Sequence, residues 1–130
     1  MLNWVEIDAG ALTNNVREFR RRLGGQVKLG AVVKSNAYGH GMLEAASVMR
    51  DAGADWLCVN GIDEAIGLRE AGHDLPVLVM GYVSKEALAE VVTRDLRPVV
   101  YNLETVERLD ALAERFERRT GRTVQDVLGE

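Results

Sequence analysis

This sequence is poor in the residues that staple, kink or ligate: it holds one cysteine, two prolines and two histidines. A lone Cys58 excludes an internal disulfide framework and suits a reducing compartment. His73 has no second ligand nearby that suggests a metal, and Cys58 lies mid-strand, so no metal site is expected. No apolar run approaches the roughly 18 residues that span a bilayer. The opening "MLNWVEID" has neither a basic n-region nor an apolar h-region, so no signal peptide is expected. Charge of one sign is not concentrated either. The net charge is −4, and acids and bases interleave, as in "ETVERLDALAERFERR", where a nucleic-acid footprint would show a clustered basic face. The expectation is a cytoplasmic, slightly acidic globular chain with no membrane or nucleic-acid partner.

What is present is an alternation of short apolar runs and helical patterns across 130 residues, enough for one domain with a core. "WVEID" (4–8) reads as a strand with Trp4 and Glu6 on one face. A helix follows from about Ala11, where Leu12, Val16, Phe19 and Leu23 recur at helical spacing before Gly24-Gly25. "VKLGAVV" (27–33), "WLCV" (56–59), "PVLVM" (76–80) and "PVVY" (98–101) read as buried strands. Helices are expected over 42–52, 62–71, from Ser84 as a cap, and over 103–118, the last with Leu103, Val106, Leu109, Ala113 and Phe116 on one face. The closing "TGRTVQDVLGE" (120–130) reads as the start of a fifth strand.

The strands end near Lys34, Asn60, Gly81 and Asn102, at spacings of 26, 21 and 21 residues. That period fits a strand, a loop, a helix of about three turns and a second loop. Unalternating apolar strands with helical crossovers pair in parallel. The fold class is therefore α/β with about four βα units, either doubly wound or part of a (β/α)8 barrel, after an N-terminal strand and helix. A closed barrel typically needs about 250 residues. The chain is thus expected to be part of a longer barrel protein or a half-barrel completed by another chain.

Chemistry concentrates in "AVVKSNAYGHG" (31–41). Lys34 shares its strand face with Lys28, Gly30 and Val32, and Gly30 leaves room below it. At the top of a barrel a desolvated lysine becomes a nucleophilic amine able to form a Schiff base with an aldehyde. Tyr38, in the following loop, has a hydroxyl that can donate to a phosphate, and the loop amides and next helix N-terminus favour an anion. The alternative is a strand-end lysine that snorkels into water beside a tyrosine covering a loop.

"AVVKSNAYGHG" closely resembles the cofactor-lysine motif of the alanine racemases, pyridoxal-phosphate (PLP) enzymes of fold type III. The common family form has Ala where this chain has Ser35. The likeness extends through "WVEIDAGALTNN", "AGADWLCVNGIDEAIGLREAG", "LPVLVMGY" and "LRPVVYN", to about residue 120. It implies the N-terminal part of a TIM-type barrel. Lys34 would form the internal aldimine with PLP and act as one of two acid–base groups at the substrate Cα. Tyr38 would hydrogen-bond the PLP phosphate, and Val32 and Met80 would line the cofactor cavity. The reaction implied is L-alanine to D-alanine, feeding cell-wall synthesis, in a homodimer.

In the family, the second base is a tyrosine of a C-terminal β-domain supplied by the partner subunit. The arginine facing the pyridine nitrogen and most phosphate ligands also lie later in the chain, in the second half of the barrel. Tyr82 and Tyr101 do not match that tyrosine's position, so this chain alone is expected not to racemise alanine. The alternatives are a serine-racemising relative of the same fold type, and a non-catalytic half-barrel that binds PLP weakly or assembles with another chain. Of the remaining residues, His40 reads as a loop-ordering hydrogen bonder, His73 as solvated, and Cys58 as a small packed hydrophobe. Asp63 and Glu64 read as charges suited to a helix N-terminus.

Overall fold

A computed structural model describes residues 3–123. Asp8 opens the first helix, α1 (Ala9–Leu23), by accepting the amide hydrogen of Ala11 at 3.1 Å, which satisfies a donor that a helix start leaves unpaired. Gly24 closes it at φ 71°, a conformation that costs glycine little. Then follow β1 (Gly30–Val32), a single turn α2 (Lys34–Tyr38), α3 (Met42–Asp51), β2 (Trp56–Val59) and α4 (Ile62–Glu70). The order continues with β3 (Val77–Val79), a 3-10 turn (Lys85–Ala87), α5 (Leu88–Thr93), β4 (Leu96–Pro98) and α6 (Leu103–Thr120).

The four strands pair in parallel in their chain order, β1-β2-β3-β4. One face carries Val33, Leu57, Val59, Val77, Val79 and Leu96, buried against Ala45, Ala46, Ala65, Leu68, Leu88 and Val91 of the helices. Truncating a fully buried leucine such as Leu57 to alanine would cost about 2–5 kcal/mol. Among the described residues the other face carries no helix. On it Gly30 aligns with Trp56, and Cys58, Leu78 and Arg97 follow in register. The Arg97 guanidinium lies 5.2 Å from the centroid of the Trp56 ring. These residues are on β4 and β2, so the arginine side chain crosses β3 on this face. A parallel sheet whose strands run in chain order, with its helices packed on one face, is an arc of a (β/α) barrel, and the bare face is its inner, concave side.

Both edges of the arc are unpaired among the described residues. A groove of about 470 Å³ runs between β4, α5 and α6, lined by Val91, Leu96, Val106 and Leu109. Another of about 330 Å³ lies between α1 and β1, lined by Leu12, Val16, Phe19 and Val32.

Several expectations change. Residues 4–8 form no strand: no ladder partner stands beside them, and Trp4 and Val5 are exposed. Trp4 and Glu6 do share a side, since the indole N–H donates to the Glu6 carboxylate at 2.7 Å. The fourth strand is Leu96–Pro98 and not 98–101, because Leu96 takes the core position opposite Val77 while Val99, Val100 and Tyr101 are exposed. Ser84 caps no backbone amide; its hydroxyl is engaged by the Glu86 carboxylate, and a 3-10 turn intervenes before α5. On α6, Leu109 and Leu112 pack against the core, whereas Leu103 and Val106 stay exposed, because the helix seats chiefly on α5.

His73 is buried rather than solvated. Arg69 is the reason: its guanidinium donates to the carbonyls of His73, Leu75, Arg94 and Asp95 at 2.8–2.9 Å and clamps the loop onto the sheet. Burial pulls that guanidinium below its usual pKa. The strand start read into residues 120–130 lies, beyond Thr123, outside the described residues.

Candidate functional site

Gly30 and Val32 stand on the bare concave face, and Lys34 follows directly at the carboxyl end of β1. Val33 is fully buried, and its amide donates to the Cys58 carbonyl at 2.8 Å, so the parallel ladder holds right up to the lysine. Lys34 itself is half-buried. The room expected above Gly30 is filled by Cys58: a Cβ at residue 30 would sit 3.0 Å from the sulfur. Burial raises the pKa of that thiol, in keeping with a packed hydrophobe.

The backbone after Lys34 turns the wrong way for an ordinary helix. Ser35, Asn36, Ala37 and Tyr38 all have φ between 51° and 55°. This is a left-handed turn without a glycine in it, at a cost of roughly 1–2 kcal/mol per residue for L side chains. Such strain persists only where surrounding bonds over-determine it.

Those bonds are identifiable. Ala37 donates its amide hydrogen to the Val33 carbonyl at 2.9 Å, and its side chain is buried. The Asn36 carbonyl accepts from Gly39 and Gly41, both at 3.0 Å. The Asn36 side-chain oxygen accepts from Met42 at 2.9 Å and so caps α3. His40 places Nδ1 2.8 Å from the Ala37 carbonyl, so that nitrogen is the donor, and the ring orders the loop. The amides of residues 39–42 therefore already have acceptors inside the turn and are not open donors for an anion. Tyr38 is exposed, and no partner is assigned to its hydroxyl among the described residues.

Glu64 supplies the remaining restraint. It is the third residue of α4, and one carboxylate oxygen accepts the amides of Asn60 (2.8 Å) and Gly61 (3.2 Å) at that helix's own start. The other oxygen crosses to the first loop and accepts the Ser35 amide at 2.6 Å. Burial is the largest single influence on this carboxyl and opposes its charge. The three amides and the nearby Lys34 ammonium together outweigh burial and hold the pKa below the usual range. The sequence reading placed Glu64 only as a first-turn charge. The signal for more was "NGIDE", in which a glutamate three residues after the helix cap is set to fold back on its own amides.

A second inter-loop tie lies at the ends of β2 and β3. A Cβ on Gly81 would fall 2.5 Å from the Asn60 carbonyl oxygen, and the Gly81 amide donates to that oxygen at 2.9 Å. Met80 follows β3, and the Tyr101 hydroxyl donates to its carbonyl at 2.8 Å. Tyr82 is exposed. The arc thus brings Lys34, Asn60, Met80 and Tyr101 to the carboxyl ends of the strands, where chemistry in this architecture sits. Among the described residues no group of three His, Cys, Asp or Glu is placed to hold a metal ion, and no helix is long and apolar enough to cross a membrane.

A parallel arc of βα units with a lysine at the end of its first strand defines a segment of a (β/α)-barrel protein. The family model "Alanine racemase, N-terminal domain" matches residues 7–127, and the chain belongs to that family. It is 42% identical over 113 residues to the alanine racemase of Methanococcus maripaludis, covering 87% of this chain and 30% of that protein. It is 43% identical over 104 residues to alanine racemase 1 of Bacillus subtilis, covering 80% of this chain and 27% of that protein. Among solved structures, the Bacillus anthracis alanine racemase with bound L-Ala-P superposes with a TM-score of 0.77 at 34% identity, over 92% of this chain and 30% of that one. The Enterococcus enzyme, from E. faecalis, superposes with a TM-score of 0.76 at 40% identity, over 79% of this chain and 28% of that one. The chain thus spans about 30% of the length of relatives such as the Methanococcus protein, and its arc corresponds to the N-terminal part of their barrel.

Proposed function

We propose that this chain is the cofactor-lysine segment of a PLP-dependent amino-acid racemase acting on alanine. One observation carries the reading: in a chain of this family, Lys34 stands at the carboxyl end of the first strand of the arc, half-buried and followed by a strained turn. The donor set fits a phosphorylated aldehyde. Lys34 offers a primary amine, Tyr38 a phenolic hydroxyl with no assigned partner, and Val32 and Met80 apolar surface. Lys34 Nζ would hold the cofactor's aldehyde carbon, and Tyr38 would donate to its phosphate.

When bound, PLP supplies an electron sink for the carbanion at the substrate Cα. Lys34 Nζ would take or return the Cα proton on one face of the substrate, as a general base with a matched geometry. Inversion needs a second group on the opposite face. Tyr101 is committed to the Met80 carbonyl and Tyr82 is exposed; as the family resemblance implies, that group and further cofactor ligands would come from residues outside 3–123, including a second copy of the protein.

The edges of β1 and β4, unpaired among the described residues and each beside an apolar groove, favour a second reading of this segment as an assembly module that needs further strands from the same or another chain. Saturable PLP binding separates the two. The reading expects binding in the unaltered chain that is lost in Lys34→Ala. Equal affinity in both would overturn it.

A further inference from the structure

The Lys34 turn is strained, and it carries a restraint from outside its own loop. The carboxylate of Glu64 joins two loops that follow two different strands: Oε1 accepts from Ser35 after β1, and Oε2 accepts from Asn60 and Gly61 after β2. We propose that Glu64 is the positioning residue for Lys34, tying the amide next to the lysine to the second βα unit so that the amine is held in one place. This role rests on the reading of Lys34 as the cofactor amine.

The requirement for a carboxylate follows from donor counting. Three N–H groups converge on two oxygens, and only a carboxylate presents acceptors on both sides. A glutamine would turn an NH2 group toward one of the loops and leave that side with donor facing donor. An aspartate keeps both oxygens but is one methylene shorter. It retains the amides of its own helix start, which are near in sequence, and loses Ser35. A residue serving only as a helix cap would behave alike in both positions, so the two variants distinguish capping from bridging. The ionised state is favoured by the same amides together with Lys34.

The test uses the full chain and two readouts. The first is amide hydrogen exchange resolved by NMR at Ser35, Asn60 and Gly61. The unaltered protein is expected to protect Ser35, although the residue is exposed. Glu64→Asp is expected to speed Ser35 exchange about tenfold or more while Asn60 and Gly61 change little and the urea midpoint holds. Glu64→Gln is expected to deprotect one loop or the other. The second readout is the rate of borohydride trapping of PLP on Lys34 at saturating PLP, expected to fall several-fold in Glu64→Asp.

Fast exchange at Ser35 in the unaltered chain would overturn the tie without any variant. Unchanged Ser35 protection in both variants would do the same. Loss of protection with an unchanged trapping rate would overturn the positioning role. If the unaltered chain traps no PLP at Lys34, the cofactor reading fails, and the positioning role falls with it even where the exchange pattern supports the tie.

Discussion

Ser35 and Glu64 are 29 residues apart in the chain, and the amide of one donates to the carboxylate of the other at 2.6 Å. This bond joins the end of β1 to the start of α4 and borders the lysine on which the proposed chemistry depends. The left-handed turn it helps hold has its cost spread over four non-glycine residues.

That cost is testable at two neighbouring positions with opposite expected signs. Ser35 is exposed at φ 53°, and its side chain makes no assigned bond. Ser35→Gly should stabilise the fold by about 0.5–1 kcal/mol, relief of strain exceeding the added freedom of the unfolded chain. Asn36 at φ 55° tolerates the left-handed region and caps Met42. Asn36→Ala should destabilise by about 1 kcal/mol. Urea denaturation midpoints check both.

Gly81→Ala should destabilise by about 1–3 kcal/mol. The added Cβ meets the Asn60 carbonyl oxygen at 2.5 Å, a backbone atom that cannot swing aside as a side chain can. The loops after β2 and β3 must therefore separate. A urea midpoint equal to that of the unaltered chain would contradict the close approach.

How much of this was legible in the sequence depends on what sets each feature. Trp56–Val59 and the period of the βα units were readable, because buried parallel strands write themselves as apolar runs. Strand four was displaced, since the run "PVVY" is more apolar than "LRP", yet the register belongs to Leu96, which alone of these fills the core. Residues 4–8 carry strand alternation, but a strand exists only with a partner. Lys34 and Tyr38 stood out by motif. Glu64 and Arg69 did not, because their roles lie in contacts with backbone groups that no local pattern encodes.

Acid should expose the Asp55 ties. The Leu29 amide, at 2.6 Å, is the main reason its carboxyl lies below the usual range; burial opposes this, and Arg20 adds to it. A pKa lowered by folding contributes stability that is present above the unfolded value of about 3.9 and is lost as pH falls through the folded value. The melting temperature should therefore drop between about pH 5 and 3, with a shallower drop in Asp55→Asn. Parallel curves for the two proteins would contradict this.

On the proposed reading Lys34 serves one face of the substrate and the group for the other face lies outside residues 3–123, so the isolated chain should give no measurable conversion of L-alanine to D-alanine even with PLP present. A chiral amino-acid assay with a full-length relative as the positive control checks this. Turnover near that of the control would show that the second group lies within the chain.

The most direct test is where PLP attaches. The chain has three lysines, Lys28, Lys34 and Lys85, so selectivity can be measured against two internal controls. PLP at less than one equivalent, reduction with borohydride and peptide mapping by mass spectrometry should place the pyridoxyl group predominantly on Lys34. Labelling spread evenly over the three lysines, or none on Lys34, would contradict its assignment as the cofactor amine.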